Sequence, residues 1–461
     1  MAILAAFMVP HPPLIVPAVG KGGEKDILET TRAYEQVAKE VEKLKPETII
    51  VTSPHAVMYG DYFHISPGAH ADGSFADFRA PEIKFSEDYD TELTECISAV
   101  AKERDFPAGS LGERNSKLDH GTMVPLWFIR NQYKEGKIVR TGLSGLPLTD
   151  HYLFGEIIAE AVKKTGRNVV LIASGDLSHK LQSYGPYGFA KEGPEYDRRI
   201  MEVCGNAEFE KLFDFDETFR EKAAECGHGS FVIMAGVFDG LKVKSSKLSH
   251  QDVTGVGYGI CTFYPEGPNE GRHFLQNYER RLEEECANKA DSGDEYVKLA
   301  RSAVEAWVCG RHRIPVPEGL PEDMLERSAG TFVSIHKQGS LRGCIGTITA
   351  TKKNIAEEII NNAMSASTRD PRFNPIEPKE LKFLEISVDV LGPTQDIDSP
   401  TELDVKRYGV IVSHGHKRGL LLPNLEGVDT VEQQIDIARR KGGIGEKEPC
   451  TLQRFEVIRH Y

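Results

Sequence analysis

Val169-Val-Leu-Ile-Ala-Ser-Gly-Asp-Leu-Ser-His179 is the stretch on which the reading of this chain turns. Five apolar residues, Val169 to Ala173, run without polar alternation, which predicts a short strand buried on both faces. Ser174-Gly175 stops the strand, and Asp176 and His179 fall in the loop past its carboxyl end. In open α/β sheets that is where ligands bind. The same arrangement occurs twice upstream: Ile3–Val9 runs into Pro10-His11-Pro12-Pro13, and Thr48–Thr52 runs into Ser53-Pro54-His55. If the three strands are parallel neighbours, their imidazoles converge in one cleft. Between the first two strands, Ile27, Ala33, Val37, Val41 and Leu44 recur at helical spacing. That makes a βαβ unit, and a βαβ unit implies a parallel pair.

Working outward, Glu87 to Arg104 and His151 to Thr165 are expected as helices, and Lys137 to Gly142 as a strand. Phe78 to Phe85 is expected as an extended stretch over the cleft. Lys117-Leu-Asp-His120-Gly-Thr-Met-Val-Pro125 reads as a tight turn opening a helix. Ala224-Glu225-Cys226-Gly227-His228 precedes an apolar helix, and Leu241–His250 and Gly257–Phe263 read as closing strands. Residues 1–265 are therefore expected to form an α/β domain with a central, mostly parallel sheet flanked by helices. The charged residues 266–294 read as a linker or solvated helix. Residues 295–461 read as a smaller α+β domain, with a hairpin at Tyr408–Val412 and Arg418–Leu422 and a single last strand from Leu452 to Ile458.

Composition narrows the function. The 461 residues carry a formal charge of −14, and no basic cluster is interleaved with aromatics, so nucleic acid is not an expected partner. The eight cysteines are scattered, with no Cys-x-x-Cys pair, which argues against a disulfide scaffold and for a reducing compartment. The apolar N-terminus lacks a basic start and is broken by Pro10 to Pro13, so it reads as a strand and not a signal peptide. No segment is long and apolar enough to cross a membrane. The expectation is a cytoplasmic homo-oligomer acting on a small molecule, with neither membrane nor nucleic acid as partner.

Two neutral imidazoles and one carboxylate on three strand ends make a facial triad with open positions, a site that suits non-haem Fe(II). His11 and His55 are the candidate ligands, and Glu225 or Cys226 the third. Asp176, His179 and His120 stand beside them as proton-transfer groups. His64, His70, His151, His250 and His273 fit no such pattern, and His228 reads as structural.

As an ordered set, Pro10-His11-Pro12-Pro13, Ser53-Pro54-His55, Asp119-His120-Gly121 and Ser174-Gly-Asp-Leu-Ser-His179 resemble the class III extradiol dioxygenase family (LigB-like), including its Memo branch. The resemblance covers residues 1–265. It implies His11 and His55 as Fe(II) ligands, His179 as the acid/base and His120 as a substrate-side donor to a phenolic small molecule. Memo-like members place a cysteine before glycine where Cys226-Gly227 stands; dioxygenases place a glutamate, and Glu225 is one residue away. Both stay open. A cysteine ligand is softer and favours iron or copper redox chemistry over ring cleavage, so copper or another divalent metal is the alternative to Fe(II).

Leu341-Arg342-Gly343-Cys344-Ile345-Gly346-Thr347, Arg369-Asp370-Pro371-Arg372-Phe373, Tyr408-Gly409-Val410 and Leu420-Leu-Leu-Pro423 resemble the AMMECR family over residues 295–461. That implies an α+β domain without a settled reaction. Arg342, Cys344, Arg369 and Arg372 form a candidate second-domain site, since guanidinium forks receive anions and a thiol beside cations favours the thiolate. The plainer alternative is that Cys344 is a small buried hydrophobe and the glycines serve a turn. The two-domain fusion resembles the AmmeMemoRadiSam group, which implies a radical-SAM partner protein. No Cys-x-x-x-Cys-x-x-Cys pattern occurs, so this chain does not itself carry that partner's cluster.

Overall fold

Unbroken aliphatic runs can be buried on both faces only in the middle of a layered structure, and that is where they lie. The computed structural model describes residues 3–114, 117–425 and 427–461. The chain divides into two units, 1–278 and 279–461.

In the first unit six strands form one sheet: β1 (Ile3–Val9), β2 (Thr48–Thr52), β3 (Lys137–Thr141), β4 (Val169–Ser174), β5 (Leu241–Gln251) and β6 (Tyr258–Pro268). Their order is β3-β2-β4-β1-β6-β5. The first four strands are mutually parallel. β6 runs antiparallel to β1, and β5 to β6, so the sheet is mixed with a parallel centre. β2, β4 and β1 are adjacent, and each delivers its polar loop at the same pole.

The longer helices around the sheet are α1 (Leu28–Leu44), α2 (Thr91–Glu103), α3 (His120–Gln132), α4 (Leu148–Thr165), α5 (Glu192–Gly205), α6 (Glu217–Ala223) and α7 (His228–Val237). Alternation along the strands sorts the two cores. Ala5, Phe7, Val9, Val51 and Ile172 pack with Tyr34 and Val37 of α1 and Phe128 of α3. Ala6, Met8, Ile50, Leu171 and Ala173 pack with Ile158 of α4, Ile200 of α5 and Phe231 of α7. One-residue slips would exchange these faces, so the strand register is tightly specified.

The expected helix from Glu87 is corrected. Ala80–Asp88 pairs antiparallel with His70–Phe75, and Glu87 is buried against Arg130, whose Nη2 donates to Oε2 at 2.6 Å. α2 starts at Thr91, where Asp90 Oδ1 accepts from Leu93 N at 3.2 Å. The pairing and the cap together move the boundary.

A helix, α8 (Phe274–Ser292), crosses the division between units. The second unit carries α9 (Glu295–Gly310), α10 (Ile355–Thr368) and α11 (Val431–Lys441). Its strands are β7 (Thr331–Lys337), β8 (Ser340–Gly346), β9 (Leu384–Leu391), β10 (Gln395–Ile397), β11 (Gly409–His414), β12 (Lys417–Leu421), β13 (Thr451–Phe455) and β14 (Val457–His460). They form two antiparallel sheets, β8-β7-β9-β14 and β10-β13-β11-β12. α9 and α10 cover the first, α11 the second. The single closing strand expected from sequence is two strands: the chain breaks at Glu456 and crosses from one sheet to the other. No helix among the described residues is long and apolar enough to cross a membrane.

Candidate metal centre

Three loops at the carboxyl pole of the parallel strands meet. Candidate ligand atoms of His11, His55 and Cys226 all lie within 4.8 Å of one another. The two Nε2 atoms are 3.0 Å apart, and Cys226 Sγ is 3.6 Å from His11 Nε2. Metal bonds of about 2.0–2.3 Å leave donor atoms sharing one ion about 3–4 Å apart, and the two distances from His11 Nε2 fall there.

Each loop is held by a definite contact. His11 N donates to Asp176 Oδ1 at 2.7 Å, tying the end of β1 to the end of β4. Ser53 Oγ accepts from His55 N at 3.2 Å and donates to Asp119 Oδ1 at 2.6 Å. Asp119 is also the N-cap of α3, accepting from Thr122 N at 3.0 Å. Cys226 comes in on a left-handed turn at Ala224, φ 53°, and its N–H and that of Gly227 point to the Asp176 carbonyl. Gly175 and Gly227 make that approach feasible: a Cβ on Gly175 would sit 2.0 Å from Gly227 Cα.

The His11 tautomer follows from a proline. Pro125 lies inside α3, so the Gly121 carbonyl four residues earlier has no helical N–H to accept. Ser174 Oγ supplies that bond, donating to Gly121 O at 2.6 Å. Having spent its only proton, Ser174 Oγ must accept from His11 Nδ1, 2.9 Å away. Nδ1 therefore carries the hydrogen and Nε2 presents a bare lone pair toward His55 and Cys226.

Electrostatics keep the imidazoles neutral. Burial, then His55, pushes His11 down to about 3; Asp119 opposes this and His179 adds to it. Burial, then His55 and His11, takes His120 to about 3. Burial also lowers His55 and His179, against the pull of nearby carboxylates. Burial raises Asp176 to about 6, and burial, then Asp176 and Glu225, raises the Cys226 thiol well above its ordinary value. The donor set of two neutral imidazoles and one thiol fits a transition metal ion, and thiol binding would release a proton.

Glu225 is not part of the cluster. Its Oε2 accepts from His228 N at 2.7 Å, and its Oε1 faces Arg220 Nη1 at 3.5 Å. Of the two alternatives for the third position, the chain brings Cys226 to the histidines. His120 stacks obliquely on His55 with centroids 4.0 Å apart and touches Phe78 from the hairpin. His179 stacks on Tyr187, with centroids 5.1 Å apart. His228 is buried between Tyr196 Oη and the Leu212 carbonyl, as a structural histidine.

Sequence reasoning missed Ser174, Ser53 and Asp119 as supports, and Tyr187 as the ring stacked on His179. The serines sit inside motifs already singled out, and Asp119 with Thr122 three residues on is a readable N-cap signal.

In the second unit the four candidate residues part company. Arg342 is engaged by Glu380 at 3.1 and 3.0 Å and by the Asn374 and Pro375 carbonyls, so its fork is filled. Arg369 is exposed. Arg372 pairs with Asp370 at 2.7 Å and donates to the Cys344 carbonyl at 3.2 Å, so Arg372 and Cys344 do lie together.

Two stretches of the chain match known families. Residues 5–261 match the family described as the catalytic LigB subunit of aromatic ring-opening dioxygenase, and residues 297–460 match AMMECR1. A relative from Clostridium acetobutylicum is 40% identical over 468 aligned positions, covering 100% of this chain and 99% of its own. A Thermotoga maritima protein is 49% identical over 167 residues, 36% of this chain and 96% of that one. The crystal structure of an uncharacterised Pyrococcus horikoshii protein aligns with a TM-score of 0.34 at 28% identity, over 37% of this chain and 91% of that one.

Proposed function

The chain belongs to the family of the catalytic LigB subunit of aromatic ring-opening dioxygenases, followed by an AMMECR1 domain, and from that premise we propose that it is a metal-dependent oxidoreductase whose ion is held by His11, His55 and Cys226. The observation that carries this reading is the convergence of two neutral imidazoles and a thiol from three separate loops within 4.8 Å. Fe(II) is the proposed metal, with copper as the rival that the sulfur donor favours. Such an ion supplies redox chemistry and polarises substrate oxygens.

The protein's own groups complete the chemistry. A phenolic hydroxyl entering the cleft meets His179, whose neutral imidazole accepts the proton; the neighbouring Asp176 charge steadies the imidazolium so formed. His120, neutral beside Phe78 and His55, offers a hydrogen bond to a second substrate oxygen. Tyr187 stacks on the His179 ring.

Cysteine in place of a carboxylate favours a second reading: a Memo-like metal-binding redox or scaffold protein without ring cleavage, working with a radical-SAM partner. The test is to load the chain with Fe(II) without oxygen, then add catechols and O₂. A yellow ring-cleavage product that disappears with His179→Ala supports the first reading. Tightly bound metal with no product supports the second.

A further inference from the structure

The backbone that leads into His179 is pinned one residue earlier. Ser178 is fully buried. Its N–H donates to Asp197 Oδ1 at 2.9 Å, and its carbonyl accepts from Gly257 N at 2.8 Å. Ser178 Oγ donates to the Ala223 carbonyl at 2.8 Å and accepts from Lys180 N at 3.0 Å. His179 N donates to that same Ala223 carbonyl at 3.2 Å. Asp197 stands out among these partners, because it is a carboxylate 2% exposed. It lies on α5 and turns its second oxygen to the edge strand β5, where His250 Nε2 is 2.7 Å from Oδ2. A carboxylate only accepts, so Nε2 carries the hydrogen. Burial pushes the Asp197 carboxyl up, and the bond from His250 opposes it. The chain closes tightly over the pair: a Cβ on Gly257 would sit 2.0 Å from Asp197 Oδ2. A buried charge held this closely persists only when it is paired. His250 itself is partly exposed and borders a cleft of about 350 Å³ between α5 and β5, so it can be replaced without leaving a hole in the core.

We propose that Asp197 and His250 are positioning residues for His179: the carboxylate fixes the backbone entering His179 through Ser178 N–H, and His250 keeps that carboxylate ionised and in place. Charge-assisted hydrogen bonds are shorter and stronger than neutral ones, which suits a contact that must hold a reacting side chain still. The functional meaning rests on His179 being the proton-accepting group, whereas the chain of contacts from β5 through α5 to Ser178 does not. Asp197 and His250 touch neither substrate nor metal in this account; they act through the loop.

The test reads the His179 ring directly, without activity: the rate of its carbethoxylation by diethyl pyrocarbonate in the metal-free full chain, resolved by mass spectrometry. Losing a charged acceptor shifts the equilibrium that holds a segment closed by about tenfold or more. In Asp197→Ala the rate at His179 should therefore rise at least about threefold. His250→Ala, at a site that tolerates truncation, should raise it in the same direction. His250→Gln, whose amide nitrogen can stand where Nε2 does, should bring it back to the wild-type rate. His64 and His151, both buried, report general loosening and should stay as protected as in the wild type. An unchanged His179 rate in both alanine variants would overturn the proposal. So would a rise shared equally by His64 and His151, or a His250→Gln rate no lower than that of His250→Ala. Metal titration of the same variants keeps the two readings apart: a chain that binds no metal sinks the proposed function and leaves the His179 rates to be judged by themselves.

Discussion

Replacing Ser174 with alanine tests how the metal centre is pre-set without touching a ligand. Ser174 Oγ is buried and makes two bonds, to Gly121 O at 2.6 Å and to His11 Nδ1 at 2.9 Å. Alanine leaves both partners buried and unpaired, at about 1–3 kcal/mol each before relaxation. Partial relaxation brings the expected loss of folding stability to about 2–4 kcal/mol. The tautomer also becomes free: His11 can carry its proton on Nε2, which faces the donors of the cluster. Losing a partner that orients a metal-binding histidine costs about 10–100-fold in metal affinity. The assay is a competition titration with a chromophoric chelator on metal-free protein, beside thermal melts of the apo form. Ser174→Thr, which keeps the hydroxyl, should recover most of the affinity. An apo Ser174→Ala protein that melts lower yet binds metal as tightly as the wild type would refute the tautomer argument and leave Ser174 as mere packing.

Asp176 should behave as a carboxylate that folding disfavours. Its folded value near 6 lies above the ordinary 3.8, so its favourable contribution is complete below the ordinary value and is lost as pH rises through about 6. Asp176→Asn should therefore stabilise the apo protein at pH 7.5, by at most about 3 kcal/mol, and give no gain at pH 3.5; urea melts at both pH values check this. Gly227→Ala should act as a loss of the third donor: the added Cβ would lie 2.5 Å from Phe231 Cζ and 2.7 Å from Gly175 Cα, so the Cys226 loop must move. Its metal affinity should fall to that of Cys226→Ala, and an unchanged affinity counts against the placement of Cys226. Metal uptake by the wild type should release about one proton near neutral pH, because burial holds the Cys226 thiol protonated. Affinity should then rise about tenfold per pH unit, and Cys226→Ser should abolish the release in calorimetry across buffers. Glu225→Gln, by contrast, should lower the melting temperature through its contacts to His228 N and Arg220 while leaving metal stoichiometry intact.

The parallel centre of the first domain could be read directly, because Ile3–Val9, Thr48–Thr52 and Val169–Ala173 are apolar at every position or nearly so, and each ends in a polar loop. The choice between Glu225 and Cys226 could not. It is decided by the left-handed turn at Ala224 and the contact between Gly175 and Gly227, two glycines 52 positions apart. Ser174 opens the motif that ends at His179, but its role depends on Pro125 denying Gly121 a partner, which only the packing of α3 against β4 reveals. Periodicity puts Glu87 in a helix because it does not register the residue's pairing in the hairpin or its salt bridge to Arg130. Arg342 looked like an open fork until Glu380 filled it. The last strand was read as one because Glu456, where the chain changes sheet, carries no turn residue to announce the break.

X-ray absorption on the anaerobic chain loaded with one equivalent of Fe(II) bears most directly on the metal centre. A single sulfur scatterer at about 2.3 Å, with the multiple-scattering pattern of two imidazoles, is the expected spectrum, and Cys226→Ser should erase the sulfur alone. A first shell of oxygen and nitrogen only, unchanged by Cys226→Ser and altered by Glu225→Gln, would contradict the account.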